Sequence, residues 1–527
     1  MTYAAICAAA ESGTEKLIWR FGIGRSESEL ERDHRMPRPV TGSLLYDLVR
    51  CPHRVTMDLF GDAVRRDPAN PFVELLWERG NLFEKSVIAN LTVPFVDLSM
   101  YSHDEKVQRT EKAIANEAPL IYGGRIEDGD LVGEPDLLRS EGEGYVPGDI
   151  KSGAGEEGSD EDAKLKKHYA AQLALYVDIL EKKGLSVGRR GFVWDIHGDE
   201  IVYDLMAPQG VRNTDTLWDV YQEVLATARG IIGREDQTRA AYCAECKLCH
   251  WYHACLNDLS AANDLTLIPE LGRSKRDVMI GQVATIRELA QVDVKSLIRD
   301  KKTVFPGIGP DTLIKFVARA KLLSDPDSKP YLKESVAFPV TDVEIFFDIE
   351  TDPMRDICYL HGFVERRGND NASERYISCL AETPTPEAEE RAFREAWEYV
   401  KKAAGATMYF YSKYERTIWR KLREKYPEVC TAEEIEKFFE QAIDLYYDVV
   451  KPKTEWPTKD HSIKTLAKCL GFQWRDTQPS GAASIEWFHR WVESGDPAIK
   501  QRILDYNEDD CRATRVLLDG IRNLRVR

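Results

Sequence analysis

Long apolar runs are missing from this chain, and nothing in it approaches the ~18–20 consecutive apolar residues that a membrane-spanning helix needs. Positive charge is in deficit. Lys and Arg number 72 against 89 Asp and Glu, a formal net charge of −17, which excludes a protein that coats nucleic acid by bulk charge but not an enzyme that gathers phosphates in a local cleft. No basic region precedes the small-residue patch Ala4-Ala5-Ile6-Cys7-Ala8-Ala9-Ala10, so a secretory leader is not expected and a cytoplasmic location is. Cysteine is thin, 11 in 527 residues, too few in a chain of this kind for a disulfide framework. What remains is a soluble globular composition, 43% apolar and 31% charged, on a chain long enough for two or three domains.

Present instead are short acid-bearing segments in a definite order. Gly133-Glu134-Pro135-Asp136 is followed, after a Gly-rich excursion, by Tyr145-Val146-Pro147-Gly148-Asp149-Ile150-Lys151. Side chains two apart on a strand share a face, so Asp149 and Lys151 project together, and a hairpin between the two segments brings Asp136 to them. Two acids and a lysine are the minimal kit for metal-assisted phosphodiester hydrolysis: the carboxylates hold Mg²⁺ or Mn²⁺, and the lysine serves the attacking water or the phosphate charge. The competing reading is a surface hairpin with solvated charges. Upstream, Thr41-Gly42-Ser43 caps a helix whose Leu44, Leu45, Leu48 and Val49 form an apolar stripe ending at Cys51-Pro52. A second helix is expected over 72–90, carrying Gly80 and Glu84. Strands are expected near 120–126, 131–138, 192–196 and 201–203, and the acidic run Glu156–Asp162 reads as a mobile loop. A helix over 163–183, stopped by Gly184, sets Gln172 and Tyr176 on one face.

The order Gly80-x-x-x-Glu84, Gly133-x-x-Asp136, Asp149-x-Lys151 and Gln172-x-x-x-Tyr176 resembles the RecB-type branch of the PD-(D/E)xK nucleases. The resemblance implies a restriction-endonuclease-like α/β domain in which Glu84, Asp136 and Asp149 ligate the metal, Lys151 assists the chemistry, and Gln172 and Tyr176 face the phosphate or the scissile strand. The first position is often histidine in that family. Glu84 stands there, and glutamate also ligates Mg²⁺.

Cys243-x2-Cys246-x2-Cys249-x5-Cys255 is a dense thiol group. Its residues suit a structural Zn²⁺, with His250 or His253 as further ligands, or an iron-sulfur cluster. The RecB-type resemblance implies the cluster: such relatives bind [4Fe-4S] through one cysteine before the nuclease core and a C-x2-C-x5-C group after it. Cys51, Cys246, Cys249 and Cys255 match those positions, and the implied role is to hold the fold.

Between Asp264 and Lys321 the sign of the charge reverses, with 11 Lys/Arg against 7 Asp/Glu, a local hint of anion binding. Within it Phe305-Pro306-Gly307-Ile308-Gly309-Pro310 resembles the turn of a helix-hairpin-helix element, whose backbone N–H groups approach phosphate. A small helical linker is the alternative.

The last part carries a second constellation. Val343–Phe347 is an apolar strand running into Asp348-Ile349-Glu350, whose acids share a face; Met408–Tyr411 is a strand entering a helix at Glu415; and Arg502–Leu518 is an amphipathic helix with Tyr506 and Asp510 together. Asp444 and Lys464 lie between these motifs as strand-contacting or structural residues, and Trp474, Trp487 and Trp491 read as core. The set Asp348, Glu350, Glu415, Tyr506 and Asp510 resembles the DnaQ-like, RNase H-fold exonucleases of DEDD type, with Glu415 where that family has Asp. The resemblance implies two-metal chemistry on these acids, with the tyrosine positioning water.

Nearly the whole chain after residue 40 resembles a bacterial family of RecB-type nucleases with an appended DnaQ-like domain. The expected architecture is α/β: an N-terminal extension (1–40), a PD-(D/E)xK domain with the cysteine cluster (41–260), a basic helix-hairpin-helix-like connector (261–335) and an RNase H-like domain (336–527). The expected activity is metal-dependent cleavage of single-stranded DNA or DNA ends, most simply as an exodeoxyribonuclease. An RNA exonuclease acting through the C-terminal domain is one alternative. A nucleic-acid-binding or assembly protein with one or both sites inactive, suggested by Glu84 and Glu415, is another. No membrane partner is expected.

Overall fold

The computed structural model describes residues 38–158, 163–210 and 214–527. The expected N-terminal extension therefore lies outside the described residues except for 38–40, as do positions 159–162 of the acidic run. The chain divides into two compact units, one holding the described residues up to Gly61 together with Glu84–Arg239, the other Asp62–Phe83 with Ala240–Arg527.

The first unit opens with α1 (Gly42–Arg50), where the Thr41 hydroxyl accepts from Leu44 N at 3.1 Å as a cap. Cys51 ends it and begins α2 (Pro52–Phe60), whose proline sits in the first turn, where a missing N–H costs nothing. Glu84 lies on α3 (Pro71–Ala89), and α4 (His103–Ala115) follows behind a Ser102–Glu105 capping box. The sheet uses β1 (Val96–Asp97), β2 (Leu120–Tyr122), β3 (Leu137–Glu141), β4 (Gly144–Ile150), β5 (Arg190–Trp194) and β6 (Glu200–Asp204), in the order β6-β5-β4-β3-β2-β1. β3 and β4 form the antiparallel hairpin, and β4 runs parallel to β5 across α5 (Lys167–Lys182). Every residue of β4 is buried, as a central strand requires. From Tyr169 to Leu180, α5 is buried at every position but Gln172, against the sheet, α1 and α6 (Leu217–Ile232). That single gap marks where the site opens.

Three expected elements change. The strand near 120–126 ends at Tyr122, and Ile126–Asp128 belongs to a different sheet. The strand over 131–138 splits: Leu131–Gly133 joins a small sheet with Val40–Thr41 and Ile126–Asp128, while β3 begins at Leu137 in the main sheet. Pro135, which cannot donate to a ladder, lies in the gap. The helix expected from 163 starts at Lys167, because Lys164–Leu165 pairs with Glu156–Glu157.

In the second unit, α7 (Tyr252–Ala261) follows the short helical turn Ala244–Leu248 that carries Cys246. α8 (Gly272–Met279), α9 (Ile286–Gln291) and α10 (Pro310–Ser324) close over a core that includes Leu265, Met279, Phe305, Leu313 and Phe316. Gly307 takes φ +76 in the turn before α10, a conformation that favours glycine. Two of the cations counted as basic are interior. Arg276 is paired with Asp264 and Asp277, and Arg319 with Glu455 at 2.8 Å, so the positive face of this segment is smaller than its composition suggests.

The remaining sheet has β7 (Val343–Asp352), β8 (Ile357–Arg367), β9 (Asp370–Leu380), β10 (Thr407–Phe410) and β11 (Ile443–Asp444) in the order β9-β8-β7-β10-β11. The β7-β8-β9 meander is antiparallel and β10 and β11 are parallel to β7. Covering helices are α11 (Pro386–Lys402), α12 (Tyr414–Lys425), α13 (Ala432–Gln441), α14 (Ile463–Cys469), α15 (Gly481–Ser494) and α16 (Pro497–Arg522). Trp474, Trp487 and Trp491 are buried, as expected. Among the described residues no helix is long and apolar enough to cross a membrane.

Candidate active sites

In the first unit the hairpin delivers Asp136 and Asp149 to one place. Asp149 Oδ1 faces Asp136 N at 3.4 Å, and Ile150 N donates to Asp136 Oδ2 at 2.8 Å. Lys151 lies one residue past β4 but keeps the strand geometry through its N–H to the Trp194 carbonyl. Its ammonium pairs with Asp149 Oδ2 at 3.0 Å and donates to Gln172 Oε1 at 3.3 Å. Gln172 Nε2 in turn donates to the Tyr176 hydroxyl at 2.9 Å, and that hydroxyl to the Glu134 carbonyl at 3.3 Å. A Cβ on Gly133 would stand 2.7 Å from the Tyr176 ring, so a glycine there gives the phenol its seat. Glu84 is joined indirectly: its Oε1 accepts from the Tyr122 hydroxyl at 2.9 Å, and the next residue, Gly123, donates to the Asp136 carbonyl.

Burial and the Asp149 charge push the Asp136 carboxyl up to about 7, with Glu84 adding to the rise and Lys151 opposing it. Burial works against the charge of Lys151, but Asp149 and Asp136 outweigh it and raise the ammonium above its ordinary range. Lys151 is therefore a fixed cation. It serves charge stabilisation and orientation better than proton abstraction.

In the second unit Asp348 and Glu350 project from β7 and Asp510 from α16, each offering an oxygen within 4.8 Å of the others. Asn507 Nδ2 donates to Asp348 Oδ2 at 2.8 Å, and Tyr376 donates to Asn507 Oδ1 at 2.8 Å. Asp510 accepts from Lys464 Nζ at 2.9 and 3.1 Å and from Trp474 Nε1 at 2.7 Å, while Lys464 also donates to the Tyr506 hydroxyl at 2.8 Å. Burial, Asp510 and Glu350 hold the Asp348 carboxyl well above the usual range, and burial with Asp510 pushes Glu350 up to about 8. Glu415, on the first turn of α12, lies beside that trio rather than in it; burial raises its carboxyl, with Asp444 and Asp510 adding. Among the described residues its Oε2 is a buried oxygen with no hydrogen-bond partner.

Crowded carboxylates that raise one another, and a buried oxygen left unpaired, are what a divalent cation neutralises. All-oxygen donors suit Mg²⁺ or Mn²⁺. Among the described residues the Asp348, Glu350 and Asp510 oxygens are brought together as such a donor group, while Glu84, Asp136 and Asp149 are not.

Asp444 turns out to cap the start of its own helical turn, accepting from Ser412 N, Tyr446 N and Tyr447 N at 2.9–3.1 Å. Asn507, Tyr376, Tyr359 and Ser484, the last two hydrogen-bonded to each other at 2.7 Å, were not among the residues expected from sequence. Asn507 had a usable signal, one turn before Asp510 on the same helix face. Around the thiol group, Cys243 and Cys246 lie with their sulfurs 3.5 Å apart and Trp251 N donates to Cys249 Sγ at 3.5 Å.

Two family models match the chain: the PD-(D/E)XK nuclease superfamily over residues 25–256 and the RNase_H superfamily over residues 345–521. No curated protein matches it. The first match contains Glu84, Asp136, Asp149, Lys151, Gln172 and Tyr176; the second contains Asp348, Glu350, Glu415, Tyr506 and Asp510. The chain thus joins a domain of the PD-(D/E)XK nuclease superfamily to a domain of the RNase H superfamily.

Proposed function

We propose that this protein is a cytoplasmic, metal-dependent nuclease with two working sites that degrades single-stranded DNA or DNA ends. The observation that carries the reading is the oxygen trio of Asp348, Glu350 and Asp510 within 4.8 Å; the other unit independently carries an acid pair with its own lysine at Asp136, Asp149 and Lys151. Glu84, Asp136 and Asp149 would hold Mg²⁺ or Mn²⁺ in the first site, and Asp348, Glu350, Glu415 and Asp510 in the second. Such an ion, when bound, supplies Lewis acidity toward a phosphate oxygen and a water. Lys151 places a permanent positive charge at the first site to meet the developing phosphate charge. Gln172 holds that lysine through its Oε1, and the buried Tyr176, hydrogen-bonded to Gln172 Nε2 and to the Glu134 carbonyl, holds Gln172 in place. In the second site Tyr506 orients the attacking water, and Lys464 holds its hydroxyl and Asp510 in register.

For the thiols we propose a [4Fe-4S] cluster with Cys246, Cys249 and Cys255 among its ligands, in preference to a structural Zn²⁺. Purified protein is then brown, absorbs near ~400 nm and contains iron. A colourless protein carrying one zinc would overturn this.

The test of the nuclease reading is degradation of end-labelled single-stranded DNA and RNA in Mg²⁺ or Mn²⁺ by wild type, Asp149→Ala, Asp348→Ala and the double variant. Loss in one single variant alone assigns the chemistry to that domain. Four equally inert proteins that still bind the strand would replace the enzyme with a binding protein.

A further inference from the structure

Beside the Asp136 and Asp149 site lies a group of side chains that the hydrolytic chemistry does not use. Tyr46 and Arg50, one turn apart on α1, face the start of α5: the Arg50 guanidinium lies 5.8 Å from the Tyr46 ring centroid and donates to its hydroxyl at 3.2 Å. The Tyr46 ring meets His168 edge-on at 4.7 Å, and His168 meets Tyr169 at 4.6 Å. Tyr169 also lies under two ammonium groups, Lys166 at 5.1 Å and the site lysine Lys151 at 5.5 Å. Packing accounts for Tyr169, which is buried. An exposed arginine, a partly exposed tyrosine and histidine, and a partly exposed lysine whose Nζ also donates to the Ala154 carbonyl at 2.7 Å are gathered around it.

Three cations, Arg50, Lys166 and Lys151, act together on His168 in a chain of net charge −17. Burial pushes His168 down to about 4, and the charges of Arg50, Lys166 and Lys151 add to the fall, so the imidazole stays neutral and presents an uncharged ring. Glu157 and Asp195 are the acids acting on Lys166 from neighbouring segments, and they offset only part of the fall that burial imposes on its ammonium. Neutral rings interleaved with cations are the surface on which unpaired bases stack while their phosphates are held; a paired base offers no free face for this.

We propose that Tyr46, Arg50, Lys166 and His168, backed by the buried Tyr169, form a strand-binding surface for single-stranded nucleic acid, with an unpaired base on the Tyr46–His168 pair and the adjoining phosphates on Arg50 and Lys166. This deepens the nuclease reading by giving the first site a preference for unpaired strands. The surface reads no base sequence, because every base has a face to stack.

The experiment uses the full chain carrying Asp348→Ala, so that only the first site cuts. Single strands of DNA and of RNA bearing one 5-iodouracil are photocrosslinked in Ca²⁺, with peptide mapping; binding is followed by anisotropy, and cleavage kinetics are measured in Mn²⁺. Crosslinks are expected on Tyr46 or His168. His168→Ala and Arg50→Ala each raise KM about tenfold while kcat stays within about twofold. Arg50→Ala also lowers the slope of log affinity against log salt by about 1. His168→Phe and Arg50→Lys retain ring and charge and restore binding, which separates this role from a folding defect. The two nucleic acids decide between DNA and RNA. Equal crosslinking and equal loss with duplex, or crosslinks elsewhere with KM unchanged, would overturn the inference. Absence of Asp149-dependent cleavage would sink the nuclease reading of this site and leave crosslinking and anisotropy to decide the surface.

Discussion

Lys464 meets Asp510 and Tyr506 through one ammonium group, at 2.9 and 2.8 Å, so its removal disturbs two partners at once. Lys464→Met keeps the stem that packs near Trp474 and deletes the charge. In an Asp149→Ala background we expect kcat to fall about 100-fold with KM nearly unchanged, the signature of misplaced groups rather than lost binding. Steady-state kinetics on a labelled single strand checks this; a change in KM alone would make Lys464 a strand contact. Gly362 on β8 tests the neighbouring support. A Cβ there would fall 1.6 Å from Asn507 Oδ1, so Gly362→Ala must drive Asn507 off Asp348. It should destabilise the fold by about 2 kcal/mol in urea melts and abolish Asp348-dependent cleavage. Gly362 carries no signal in the sequence, and Lys464 is singled out there only as strand-contacting or structural, without its partners. Lys464 sits 42 residues before Tyr506 with no spacing rule to connect them, whereas Asp348 and Glu350, or Tyr506 and Asp510, were legible because strand and helix periods alone put each pair on one face.

The elements that carry these residues are tied together by charge as well as by apolar packing. Glu344 near the start of β7 accepts from Arg366 of β8 at 3.0 Å and from Arg522 of α16 at 2.6 Å, and Arg366, itself 1% exposed, also pairs with Asp519 at 2.8 Å. Burial works against the Glu344 charge, but Arg522 and Arg366 prevail and hold its carboxyl below the ordinary glutamate range. A depressed folded value means that its stabilisation is full above the unfolded pKa, about 4.3, and is lost as pH falls through the lower folded value. Glu344→Gln should therefore cost about 3 kcal/mol at pH 7, as breaking one partner of a buried pair does. The gap to wild type should begin to narrow as pH falls below about 4 and go on narrowing toward the lower folded value. Urea denaturation at pH 7 and pH 3 measures it; a gap independent of pH would show a packing effect instead. At this scale the sequence was read well where periodicity is strong. α5, β7 and α16 lie where expected within a few residues. It was read poorly at the segment over 131–138, which an apolar pattern presents as one strand and Pro135 divides between two sheets.

Across the whole molecule, net charge and motif order pointed to an enzyme with local rather than global affinity for phosphate, and two superfamily matches cover the two acid constellations. The basic character of the middle segment was overstated, since composition cannot tell an interior guanidinium such as Arg276 or Arg319 from one at the surface. Each constellation is complete within its own unit: no residue named for the first site belongs to the second unit, and none of the second belongs to the first. Sites that share no residue and no hydrogen-bond network perturb each other little, and the effects of changing them are separable. On a substrate that both can cut, the wild-type rate should then equal the sum of the rates of Asp149→Ala and Asp348→Ala, within about a factor of two, and the double variant should retain less than about 1% of it. Asp348→Ala should melt within about 2 °C of wild type, because a carboxylate removed from a repelling cluster relieves as much as it costs, whereas Asp149→Ala and the double variant should melt lower, because they leave the Lys151 ammonium without its carboxylate partner. Parallel rate measurements and thermal melts at one Mn²⁺ concentration decide the matter. If both single variants are as inert as the double, the two sites act in series on one strand, the first supplying an end that the second consumes, and independence is lost; if only one is, the chemistry belongs to that domain alone.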